Sequence, residues 1–133
     1  MGTKLCYSSN VERNQTMKAL KISTQGVREV VDFDNETAYS VIRTAVGGWI
    51  ECIRIPSMGV EMWVNEEGKL ADNPIINPIA TALWVDNYGK TDVTVGDVII
   101  TGTANDEGDS QGLTEEQLAT LLAYDKTVNL DGV

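Results

Sequence analysis

Between residues 47 and 84 apolar runs and turn chemistry follow each other more closely than anywhere else in the chain, and this stretch most constrains the fold. It opens on Gly47-Gly48, runs through Trp49-Ile50-Glu51-Cys52-Ile53-Arg54-Ile55, turns at Pro56-Ser57-Met58-Gly59 and returns as Val60-Glu61-Met62-Trp63-Val64. Two β-rich runs joined by a Pro/Gly turn spell an antiparallel hairpin. The first run is apolar on both faces, which predicts a central place in a sheet. Asn65-Glu66-Glu67-Gly68 is a second tight turn, with Gly68 suited to positive φ. Asn77 then serves as an N-cap before Pro78 at the first helical position, starting a short helix to about Val85. All three tryptophans, Trp49, Trp63 and Trp84, fall in this stretch. It is therefore the expected structural centre and the first place to look for a site.

The flanks extend the pattern. Residues 18–23 and 28–33 read as two strands around the Gln25-Gly26 turn, a further hairpin. Asp34 or Asn35 can cap the next helix, where Ala38, Val41, Ile42 and Ala45 recur at helical spacing before Gly47-Gly48 ends it. Residues 92–100, interrupted by Gly96-Asp97, give a fifth strand or a bulged one. Residues 102–112 form a polar loop. Thr114 opens the last helix, with Gln117 completing a capping box and Leu118, Leu121 and Leu122 on its buried face. Residues 1–16 are polar and aperiodic, a flexible leader or upstream extension, so Met17 reads as the start of the domain. Residues 127–133 read as a loose tail. The expectation is one α+β domain over residues 17–126, a mainly antiparallel sheet of about five strands with two to three helices on one face.

At 133 residues and 42% hydrophobic content the chain can bury a single core. No window is long and apolar enough to span a membrane, and no secretory signal is visible at the N-terminus, so a cytoplasmic protein is expected. The formal charge of −10 repels nucleic acid and anionic membranes over roughly the 8 Å Debye length of physiological salt. Direct nucleic-acid and membrane partners are therefore not expected. Cys6 and Cys52 are the only cysteines and there is no histidine, too few soft ligands for structural zinc. Cys52 lies in an apolar strand and reads as a buried small hydrophobe.

The same inventory argues against catalysis. General acid–base work near neutral pH usually rests on histidine, and this chain has none. Glu66-Glu67 are adjacent turn residues, poorly placed to converge on one bond. No nucleophile elbow, cysteine–histidine pair or phosphate-binding Gly-rich loop occurs. Asp106, Glu107 and Asp109 suggest calcium, but aligning Gly108 to the sixth EF-hand position puts Thr103 first, and aligning Gly112 there puts Leu118 twelfth. Neither register supplies the required ligands. No metal and no cofactor is expected.

What remains is binding. A helix N-terminus at Asn77-Pro78 presents free N–H groups. If the Asn65–Lys69 turn folds towards it, Asn65, Glu66 and Lys69 add amide, carboxylate and ammonium groups. Thr81 on the helix adds a hydroxyl, and Trp63 or Trp84 a stacking face.

Four segments also carry a resemblance: Val46-Gly47-Gly48-Trp49-Ile50-Glu51, Val64-Asn65-Glu66-Glu67-Gly68-Lys69, Asn77-Pro78-x-Ala80-Thr81 and Val95-Gly96-Asp97-Val98. Over about residues 17–122 the chain resembles small domains of unknown function carried by bacteriophages, prophages and mobile elements. The resemblance implies a host-cytoplasmic accessory protein, of a kind that counters bacterial defence by binding, and it points to the paired turn and helix start as ligand-facing. The leading expectation is thus a non-enzymatic protein that captures a small polar, nucleotide-like ligand through Asn65, Glu66, Lys69, Asn77, Thr81, Trp63 and Trp84. An alternative is an acidic decoy that presents Asp106, Glu107 and Asp109 to a nucleic-acid-binding host defence protein. A minor virion or assembly protein is a third, and self-association is open in each case.

Overall fold

A computed structural model describes residues 16–127. The readings made for the leader and for the tail beyond Thr127, and any role of Cys6, lie outside the described residues. Two hairpins supply four strands: β1 (Met17–Ile22) with β2 (Arg28–Phe33), and β3 (Ile50–Ile55) with β4 (Val60–Asn65). Between them lies helix α1 (Ala38–Val46), and after them come α2 (Pro78–Tyr88), β5 (Val98–Gly102) and α3 (Glu115–Ala123). The five strands form one sheet in the order β2-β1-β5-β4-β3, antiparallel at every junction. The expected class, an α+β domain built on a five-stranded antiparallel sheet with three helices, is what the chain adopts.

Three sequence signals explain the element ends. Gly47 closes α1 at φ 80°, with its N–H donating to Arg43 O, a conformation glycine takes without steric cost. Asn77 caps α2, its side chain accepting from Ala80 N ahead of Pro78. Thr114 and Gln117 form the reciprocal capping box of α3. At α1 neither Asp34 nor Asn35 is the cap. Thr37 holds that position, and the Asp34 carboxylate instead accepts from Glu36 N and Thr37 N in the turn before it.

The helices divide between both faces of the sheet rather than sharing one. Successive residues of a strand point to opposite faces, and the two cores follow that alternation. On one face Ala19, Phe33 and Ile99 pack with Ala38, Ile42 and Val46 of α1. On the other Leu20, Ile22, Met62 and Ile100 pack with Ile79, Ala80 and Leu83 of α2 and Leu121 of α3. Each buried Leu or Ile side chain contributes about 1.5–3 kcal/mol, so both faces stabilise the sheet. A one-sided sheet would expose alternate residues of β5, and all five of its residues are buried.

Further corrections follow from strand order. β3, expected at the centre, is an edge strand, and β5 is central. The apolar character of β3 reflects contact with helices on both sides: Ile50 belongs to the α1 core and Ile53 to the α2 core. Cys52, expected buried, is exposed on this edge. β5 starts only after Gly96-Asp97: Gly96 sits at φ 78°, outside extended backbone, and the Asp97 side chain accepts from Thr24 N. Leu122, expected on the buried face of α3, is exposed. α2 extends three residues beyond Val85, to Tyr88. Gly68 does not take positive φ but begins a 3-10 turn (Gly68–Leu70). Glycine gives a close fit there, since a Cβ would lie 3.0 Å from Val95 Cγ2 and that side chain would have to shift.

Candidate functional site

The end of the second hairpin builds a cleft. β4 stops at Asn65, whose Oδ1 accepts from Glu67 N at 2.8 Å while its Nδ2 donates to Val46 O at 3.4 Å. This local bond bends the chain into the 3-10 turn and brings Lys69 over the segment before β5. There Lys69 Nζ meets Asp92 Oδ1 at 2.5 Å. The same carboxylate oxygen accepts from Val93 N at 2.8 Å. The bond from Lys69, followed by that backbone bond, holds the Asp92 carboxyl below its ordinary value.

Helix α2 supplies the remaining wall. Trp84 Nε1 donates to Thr91 Oγ1 at 3.0 Å, and its ring lies 4.5 Å from that of Tyr88, tilted by 40°. Tyr88 in turn donates from its hydroxyl to Arg54 O at 2.6 Å. The indole is thereby tied at both ends, to the segment before β5 and, through Tyr88, to the edge strand. Between these elements is a cavity of about 230 Å³, lined by Ile53, Val64, Val93 and Val95 with Trp84, and by the polar groups of Asn65, Glu66, Lys69, Glu51, Asp92 and Thr94. Glu51, Glu66 and Asp92 against Lys69 leave two net negative charges. Among the described residues neither Glu51 nor Glu66 has a cationic partner within 4 Å.

The turn, Lys69 and Trp84 are therefore brought together as the sequence suggested, and Asn65 and Glu66 are with them. Asn77 and Thr81 are not. Asn77 is fully buried; besides capping α2 it donates to Ile22 O at 3.1 Å and Gly96 O at 3.0 Å. Thr81 is also buried, accepting from Thr94 N at 2.9 Å and donating to Thr94 O at 3.3 Å. Both side chains are spent fastening α2 to the segment before β5, so they set the cleft wall from behind. Trp63 lies on the opposite face, donating to Thr101 Oγ1 at 3.0 Å and packing against the α1 core. Asp106, Glu107 and Asp109 are exposed on a separate loop folded around Asn105, whose side chain accepts from Glu107 N and Asp109 N. Among the described residues no group of three or more His, Cys, Asp or Glu is placed to hold a metal ion.

Sequence reasoning missed Glu51, Asp92 and Thr94. Glu51 carries a signal, as a lone carboxylate on the core side of an apolar strand. Asp92 carries none, because nothing in its neighbourhood announces that it will meet a lysine 23 positions earlier.

Fold and cleft together define a small α+β domain with a sheet covered on both faces and a polar, tryptophan-walled hollow at its edge. No helix among the described residues is long and apolar enough to cross a membrane. A protein-family model described as "Domain of unknown function (DUF3846)" matches residues 17–126, and the chain belongs to that family. No curated protein and no solved structure matches.

Proposed function

We propose that the protein is a non-enzymatic binding module whose cleft beside Lys69 and Trp84 takes a small polar ligand. The observation that carries this reading is the convergence of Asn65, Glu66, Lys69, Asp92 and Trp84 on one cavity of about 230 Å³. Ligand sites usually pair an apolar wall with a few convergent polar groups. The volume falls below the ~300–1,000 Å³ typical of drug-sized ligands, so one ring or one side chain fits better than an extended molecule. Of a nucleotide-like ligand the cleft suits the base more than the phosphate. Its two net negative charges oppose an anion, and Lys69 is already engaged by Asp92. Glu51 and Glu66 offer acceptors to amino or amide groups, and Trp84 offers a face. A binding role also fits the absence of histidine and an Asp92 carboxyl held in its ionised form.

The context proposed for this activity is a phage or mobile-element accessory protein that sequesters a host signal in the cytoplasm. Native mass spectrometry of protein purified from cells carrying active defence systems tests it, alongside thermal shifts with nucleosides, cyclic nucleotides and small amines. A co-purified ligand lost on Trp84→Ala supports the reading. No bound mass and no shift with any of the panel refutes it. The acidic decoy remains a second reading because Asn105 fixes Asp106, Glu107 and Asp109 on an exposed, ordered loop. Neutralising those three carboxylates should then abolish a salt-sensitive interaction without affecting the cleft.

A further inference from the structure

We infer that the free edge of β3 docks an extended, basic peptide segment, which adds to the sheet and delivers a lysine or arginine side chain into the cleft. This rests on the cleft being a binding site and names what enters it. The register identifies which groups are free. Glu66 N donates to Trp49 O at 2.8 Å, one step beyond the Ile50↔Asn65 pair. Hydrogen-bonded pairs alternate along an antiparallel ladder, so the main-chain groups of Glu51, Ile53 and Ile55 face β4. Those of Ile50, Cys52 and Arg54 face away from the sheet. Arg54 O is met there by the Tyr88 hydroxyl, an independent sign of the same parity. Among the described residues the N–H and C=O of Ile50 and Cys52 and the N–H of Arg54 have no backbone partner.

Such an edge is a template for another strand. Alternate side chains of an added strand project to the same face as Glu51 and Ile53, and those two residues line the cleft. The charge selects the peptide. Glu51 and Glu66 are unneutralised, the cavity carries two net negative charges, and the chain as a whole carries −10. The Trp84 ring adds a surface for an ammonium or guanidinium group. β2, the other edge, carries mixed charges at Arg28, Glu29 and Asp32. The hollow beside it, lined by Lys21, Glu29 and Val31, is more open and has one cation against one carboxylate, so it has no net charge to select a basic side chain. Main-chain bonds to Ile50 and Cys52 would supply affinity, and the carboxylate-lined hollow would supply the choice of side chain.

The test uses the full chain and fluorescent pools of short threonine/valine peptides with lysine at alternate positions, against matched pools with glutamate. Binding is read by anisotropy, and edge engagement by hydrogen exchange at the Ile50, Cys52 and Arg54 amides. The lysine pool should bind at least about tenfold more tightly than the glutamate pool, with those amides protected. Cys52→Pro removes one outward N–H, a change edge strands tolerate, and should weaken the peptide about tenfold. Peptides N-methylated along one edge should lose binding, and those methylated along the other should keep it, with no change to the protein. Equal binding of both pools, or none, overturns the inference. So does protection of these amides in the free protein through pairing of two copies. If Cys52→Pro and methylation have no effect while Trp84→Ala abolishes binding of both peptide and lysine amide, the edge is wrong and the cleft reading stands. If only Trp84→Ala is silent, the cleft reading fails, and with it the ligand chemistry named here.

Discussion

Replacing Asn77 by Ala separates a structural from a ligand-binding role most sharply, and the cost can be worked from its bonds. The amide is fully buried and makes three hydrogen bonds: from Ala80 N at 3.1 Å, and to Ile22 O and Gly96 O. Losing the cap costs about 1 kcal/mol. Each buried carbonyl left without its donor costs about 1 kcal/mol, the low end of the range because a carbonyl has a second lone pair. The sum is about 3 kcal/mol. At about 4 °C per kcal/mol for a domain of this size, the melting temperature should fall by about 12 °C. Urea unfolding followed by circular dichroism and tryptophan fluorescence gives the free energy directly. Asn77→Asp keeps the acceptor and loses both donors, and it aims a carboxylate at two carbonyl oxygens. Its folded pKa must rise, so this variant should be most stable below the ordinary carboxylate range and weaken as pH increases. A loss under about 1 kcal/mol for Asn77→Ala would refute the reasoning, because buried donors and acceptors cannot be orphaned so cheaply.

Three more outcomes are expected. Gly102→Ala puts a Cβ 2.5 Å from Gly112 O; the backbone must shift, and unfolding free energy should drop by about 1–3 kcal/mol, with near wild-type stability refuting the close approach. The Lys69–Asp92 pair is about half exposed on both sides, so Lys69→Met should change stability by less than about 1 kcal/mol after screening. Because Asp92 is lowered from 3.8, the pair's contribution should be present above that value and vanish as pH falls below it; a loss centred near neutrality would contradict this. Cys52 is exposed at the edge, yet partial burial of its thiol, followed by the Glu61 charge, pushes it from 9.0 to about 11. In a Cys6→Ser background its thiolate fraction near pH 8 should be about a hundredfold lower than that of an unperturbed thiol, and its alkylation about tenfold slower once the greater nucleophilicity of the more basic thiolate is counted; equal rates would contradict the shift.

Local chemistry was legible and long-range partnership was not. Gly47, Asn77-Pro78 and Thr114-Gln117 announced their caps because capping depends on residues within one turn of each other. The hairpins were readable from their intervening turns. Strand order was not, since β5 pairs with β1 and β4 over long sequence separations and no local pattern encodes that choice. An apolar strand between two helices resembles an apolar strand between two neighbours, which is why β3 was expected at the centre. In the cleft, Asn65, Glu66, Lys69 and Trp84 stood out as turn and aromatic residues, whereas Asp92 became visible only through its bond to Lys69. Asn77 and Thr81 carried ligand-like polarity that the fold consumes internally.

The position of β5 has a consequence for how the molecule is made. The strand that joins the two hairpins is the last of the five described strands in chain order, so the two halves of the sheet cannot pair through it until residues 98–102 have emerged. Until then the nascent chain carries two separate ribbons with their inner borders bare, each marginal alone in water. A chain stopped before Val98 would keep both hairpin ladders but lack the strand that joins them.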